Sequence, residues 1–175
     1  MTEKDKTVFH GKIIEVGVQT TTLPNGQVME LEIVRHPGGA AVVAIDDQNR
    51  VCLLKQFRVV VNDWLWELPA GKIDNKEPPL QTAQRELQEE AGVMASDWKE
   101  LGKEISSPGI FNEIVYLYLA QGLHHGQQNK EDHEVLEVHW IDFNEVISMI
   151  YDGIIQDSKT IVGLVLAKQI LDTGR

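Results

Sequence analysis

The chain has only one cysteine, Cys52, in 175 residues, so no internal disulfide can form and the fold must be held by buried surface rather than by cross-links. Cys52 lies in an apolar run and reads as a buried thiol, compatible with a reducing compartment. Basic residues are also scarce, 16 Lys and Arg against 27 Asp and Glu, and the net charge of −11 makes the chain a poor candidate for wrapping nucleic acid or docking on anionic lipid. Local basic residues can still bind one phosphate group. No apolar run approaches membrane-spanning length, and the opening MTEKDKTVFHGK lacks the apolar core of a secretion signal. The expectation is a soluble, cytoplasmic protein with neither a nucleic-acid nor a membrane partner. There is no internal repeat and no low-complexity segment. What remains is ordinary globular composition, 42% hydrophobic and 25% charged, at a length suited to one core.

Taken in order, residues 8–22 are rich in Val, Ile and Thr and read as a strand. Asn25-Gly26 marks a hairpin turn, and residues 27–35 alternate with Met29, Leu31 and Ile33 on one side. His36-Pro37-Gly38-Gly39 separates this antiparallel unit, residues 1–37, from the rest of the chain, residues 38–175. Short apolar strands are expected at 40–45 and 51–57, with Arg58 directly after the second. Trp64 and Trp66 read as core, alternating with Glu67, which could reach an acidic cluster further along. Beyond, strands are expected at 99–106, 114–120 and 135–140, with His124 and His125 in a linker. Asp142 and Asp157 cap two final helices, the second spanning residues 159–171 and apolar on most sides.

The most informative stretch is GKIDNKEPPLQTAQRELQEEAGV, residues 71–93. It reads as loop, helix, loop, with Pro78 and Pro79 in the first turn, where a missing N–H costs nothing, and Gly92 at a left-handed cap. On that helix Glu86, Glu89 and Glu90 stand at i, i+3 and i+4 and share one face, while Leu80, Ala83 and Leu87 pack inward. Two such charges roughly 4 Å apart cost about 4 kcal/mol at an effective dielectric of about 20. A hard divalent cation would offset this, and oxygen-only ligands select Mg²⁺ or Mn²⁺. Arg85 and Lys72 could neutralise part of it, and a solvated acidic face is the bland alternative.

The full pattern is Gly71, five residues, Glu77, seven residues, then Arg85-Glu86-Leu87-Gln88-Glu89-Glu90-Ala91-Gly92-Val93, and it resembles the Nudix box at every defined position. The resemblance implies an α/β/α sandwich with a mixed sheet, here with an added N-terminal antiparallel sheet. It implies hydrolysis of a nucleoside diphosphate linked to another group, with Mg²⁺ (or Mn²⁺) held by Glu86 and Glu90, by Glu89 as a further ligand or partner, and by the Ala70 carbonyl. Arg85 and Glu77 would orient the loop and the carboxylates. Pro108, sixteen residues after Gly92, together with the segments QFR, ELPAG and DSKTIVGLVLA, is similar to the ADP-ribose pyrophosphatase subfamily. That likeness implies substrate contacts from Arg58, Arg35, Pro108 and Gly109, water or metal positioning by Glu113, and a general base at Glu134, with Glu131 and Glu137 as fallbacks. It also implies a homodimer in which residues 1–37 exchange contacts and help enclose the substrate. The expected reaction is ADP-ribose to AMP and ribose 5-phosphate. GDP-mannose or another nucleotide sugar is the enzymatic alternative, and a nucleotide-binding module without hydrolysis is the alternative of another class.

Overall fold

The structure, a computed structural model, describes residues 4–129 and 135–174. In chain order its elements are β1 (Lys4–His10), β2 (Glu15–Thr22), β3 (Val28–Arg35), β4 (Gly39–Ala44), β5 (Arg50–Arg58), β6 (Asp63–Glu67), β7 (Ala70–Lys72), α1 (Pro79–Ala91), β8 (Val93–Ser107), β9 (Phe111–His125), β10 (Leu136–Asp142), α2 (Phe143–Tyr151) and α3 (Ser158–Thr173). None of the described helices is long and apolar enough to cross a membrane.

The run AAVVA makes β4 apolar on both faces, as a strand covered on both sides must be. It pairs in parallel with β9, Gly39 opposite Val115 through Ala44 opposite Ala120. Side chains then alternate between two cores. Ala41 and Val43 of β4 join Val115, Leu117 and Leu119 of β9 beneath α2 and α3, whereas Ala40, Val42 and Ala44 join Tyr118 and Ala120 beneath α1. On α1 the inward residues are Ala83 and Leu87, both fully buried. Burying a leucine side chain of this kind contributes about 1.5–3 kcal/mol. The large sheet has seven strands in the order β1-β2-β3-β9-β4-β7, with β8 also paired to β9, and a separate antiparallel sheet runs β10-β5-β6. This is the expected α/β architecture with a mixed sheet. The N-terminal strands form their antiparallel unit and join the large sheet through one parallel bridge, Val34 to Phe111.

Four local expectations change. The strand expected over residues 8–22 is two strands, β1 and β2, folded back on each other where Gly11 N–H donates to the Ile14 carbonyl at 2.9 Å. β-Branched content masked that turn. The strands on either side of the Ser-Pro-Gly turn are fifteen residues each, so His124 and His125 lie at the end of β9, opposite Met94 and Val93, and not in a linker. Backbone pairing carries the strand past the point where apolar side chains stop. Trp64 is 38% exposed, its ring meeting Phe57 edge-on at 5.8 Å near the hairpin tip, so only Trp66 joins the core. Gly71 and Lys72, expected as loop, form β7 with Ala70.

Candidate functional site

The loop from β7 to α1 and the first two turns of α1 are organised around Arg85. Its guanidinium donates to Glu77 at 2.9 Å, Glu86 at 2.7 Å, Glu89 at 3.1 Å and the Lys72 carbonyl at 3.2 Å. Burial opposes its charge, but the bonds to Glu77, Glu86 and Glu89 hold its pKa above the usual arginine value. Burial likewise works against the Glu77 carboxylate, and the hydrogen bonds from Arg85 and from Thr82 outweigh it, leaving that pKa lowered. Arg85 thus supplies much of the offset that three neighbouring carboxylates require. Pro79 stands at the first helical position, and Gly92 closes the helix at φ 68°, its N–H on the Gln88 carbonyl.

Glu86 and Glu90 are buried, and Glu90 accepts the Ala70 N–H at 2.8 Å, tying α1 to β7. Gly71 lies against Glu86 so closely that an added Cβ would overlap the carboxyl group, which explains a glycine there. These residues line a cavity of about 530 Å³. Glu86, Glu89, Glu90 and the Ala70 carbonyl offer hard oxygen donors, the chemistry that suits Mg²⁺ or Mn²⁺. Among the described residues no three His, Cys, Asp or Glu side chains are drawn close enough together to hold a metal ion as they stand, and Arg85 occupies oxygens of both Glu86 and Glu89.

A second wall of the cavity comes from β5 and the start of α3, backed by Glu67 of β6. Arg58 donates through Nε to Glu67 Oε1 at 2.6 Å and through Nη2 to Oε2 at 2.8 Å, a bidentate pair. Lys159 Nζ reaches the same carboxylate at 2.5 Å and Asp157 at 2.9 Å. Burial alone would raise the Glu67 pKa, but the two cations hold it down at about 2. Asp157 also caps α3 through the Thr160 N–H, and Thr160 Oγ1 accepts the Leu68 N–H at 2.9 Å. The start of α3 is therefore fastened to the segment that leads into Ala70 and Gly71.

The third wall is polar. Glu113 on β9 accepts from Ser106 at 2.5 Å and stands 3.2 Å from His36 Nδ1, the atom that also accepts the Gly38 N–H at 3.1 Å. Desolvation lowers the His36 pKa, against the pull of Glu113.

Of the residues singled out from sequence, Ala70, Arg85, Glu86, Glu89, Glu90, Arg58 and Glu113 meet around this cavity. Arg35 stands away from it, bonded to Asp5 at 2.8 Å and Gln19 at 3.3 Å within the N-terminal strands. Pro108 and Gly109 sit in the exposed β8–β9 turn, outside the lining. Glu137 is on β10, paired with His139 at 3.2 Å and also outside it. Glu134 and Glu131 lie outside the described residues. Lys159, Asp157 and His36 line the cavity but were not singled out as site residues. The signal for Lys159 was Glu67 itself, a carboxylate in an apolar stretch that has to find a cation, although the cation is 92 residues away.

The family model described as NUDIX domain matches residues 35–161. The methanol dehydrogenase activator of Bacillus methanolicus is 35% identical, the alignment covering 93% of this chain and 89% of that one. The ADP-ribose pyrophosphatase of Bacillus subtilis is 36% identical over 87% of this chain and 84% of its own. A solved structure of an ADP compounds hydrolase superposes with a TM-score of 0.83 at 21% identity, covering 99% of this chain and 96% of that one, a likeness of fold.

Proposed function

Since the chain belongs to the Nudix hydrolase family, we propose that it hydrolyses the pyrophosphate bond of a nucleoside diphosphate sugar, with ADP-ribose cleaved to AMP and ribose 5-phosphate. The observation that carries the reading is one cavity that sets buried Glu86 and Glu90, with Glu89, beside a guanidinium at Arg58 fixed by one edge. Mg²⁺ held by Glu86, Glu89, Glu90 and the Ala70 carbonyl would neutralise charge on the phosphoryl oxygens and activate the attacking water. The remaining work falls to the chain. Arg85, bonded to Glu86, Glu89 and Glu77, orients the carboxylates that would hold the cation and ties them to the loop through Glu77. Arg58 takes a phosphate through Nη1, which has no protein partner among the described residues. Glu113 positions a hydroxyl or water on the opposite wall, and Glu134 serves as general base. Neutralising that base, Glu134→Gln, slows the chemical step by about two to four orders of magnitude with little change in KM.

The exposed apolar side chains Val8, Phe9, Val28 and Met29 on the N-terminal strands support a homodimer formed through residues 1–37. Light scattering tests it, a monomer at micromolar concentration counting against it.

The deciding experiment is a product-resolved assay with Mg²⁺ over ADP-ribose, GDP-mannose, UDP-glucose, NADH, diadenosine polyphosphates and nucleoside triphosphates, ranked by kcat/KM. ADP-ribose first with AMP released supports the reading. GDP-mannose first moves the substrate and keeps the chemistry, and no turnover of any of them favours a binding module. The likeness to the methanol dehydrogenase activator supports a second reading, in which the chain stimulates an alcohol dehydrogenase. Unchanged dehydrogenase rates on adding the chain count against that.

A further inference from the structure

At the cavity wall lies an ion network of which the hydrolytic reading uses only Arg58. Arg58, Glu67, Asp157 and Lys159 come from β5, β6 and the start of α3, and they form two cations and two anions in contact. Glu67 is its hub, with a side chain 2% exposed, while the side chains of Lys159 and Asp157 are 17% and 16% exposed. Arg58 differs, at 42% exposed. Its Nε and Nη2 are both committed to Glu67, which fixes the plane of the guanidinium and leaves Nη1 for whatever enters the cavity.

Arg58 alone could balance Glu67. Lys159 is what balances Asp157 as well, bridging the two carboxylates with one ammonium group. Without it the cluster carries a net negative charge. Arg58 would then be the only cation of the cluster, facing buried Glu67 and half-buried Asp157, beside a cavity that already contains Glu86 and Glu90. The two carboxylates would then draw the guanidinium inward, away from an anionic ligand. We infer that Lys159 is a positioning residue for diphosphate binding, holding Glu67 and Asp157 neutralised so that Arg58 keeps its free edge for the substrate. The inference rests on the reading that Arg58 contacts the diphosphate.

The test compares KM, kcat and Tm for the wild type, Arg58→Met, Lys159→Met, Lys159→Arg and the Arg58→Met/Lys159→Met pair, with Mg²⁺ and the best substrate of the panel. Lys159→Met is expected to raise KM about tenfold with kcat within about threefold, since the lost interaction acts on binding. Lys159→Arg should recover most of the loss. In the Arg58→Met background, Lys159→Met should add less than about twofold, because the two act as one unit. A merely structural lysine would lower Tm and leave KM alone. If Arg58→Met raises KM but Lys159→Met does not, or if the two effects multiply, the inference falls and the Arg58 reading stands. If Arg58→Met itself leaves KM unchanged, the reading falls and takes the inference with it. Should Lys159→Met fail to fold, Lys159→Gln keeps a donor to Glu67 and carries the same KM test without the charge.

Discussion

Neutralising Glu67 should remove one of the largest electrostatic contributions to the fold, and its size follows from the structure. Its carboxylate is held at about 2 against an ordinary 4.5, despite burial, by Arg58 and Lys159. A folded-state pKa below the unfolded one means stability that is present above the unfolded value and is lost as pH falls through the folded value. Here that window runs from about pH 4.5 down to about pH 2. The difference of about 2.5 units corresponds to about 3 kcal/mol at neutral pH, of which about 2 kcal/mol is gone by pH 3. Urea unfolding of the wild type and Glu67→Gln from pH 7 to pH 3 isolates this, since every other carboxylate titrates in both proteins. The two should differ by about 3 kcal/mol at pH 7 and by about 1 kcal/mol at pH 3. A constant difference across that range would refute the reasoning, because the gap would then not come from ionisation of Glu67.

Gly71→Ala should leave Tm within about 4 °C, since the atoms in its way are the flexible end of Glu86, yet lower kcat/KM at least about tenfold by displacing that carboxylate. Cys52, fully buried and with burial pushing its thiol up to about 12, should resist iodoacetamide at pH 8 until denaturant is added, as read by intact mass. Asp142→Ala removes the cap that accepts the Asn144 and Glu145 N–H groups on α2 and should cost about 1 kcal/mol in urea unfolding.

The helix bearing the box carboxylates was legible because its signals are local: prolines at the start, glycine at the end, and a three-to-four residue spacing that makes neighbours of Glu86, Glu89 and Glu90. The buried β4 was legible for the same reason, as a short apolar run between glycines and a turn. Pairings across long separations were not. Nothing near Lys159 signals Glu67, and nothing near His36 signals Glu113, because each pair is brought together by strands and helices whose docking depends on the whole core. The polar ends of β8 and β9 were hidden because main-chain pairing needs no apolar side chain. Arg35, implied by likeness, is in this fold tied through Nη2 to Asp5 and Gln19, outside the cavity lining.

The measurement that bears most directly on the central claim is metal-dependent turnover in the wild type and Glu90→Gln, with nucleotide binding followed separately by calorimetry. Hydrolysis of a nucleotide sugar should require Mg²⁺, and Glu90→Gln should lower kcat by about two orders of magnitude or more with nucleotide binding retained. Equal rates in the two proteins, or full activity with the metal chelated, would contradict the assignment of this cavity as a metal-dependent hydrolytic site.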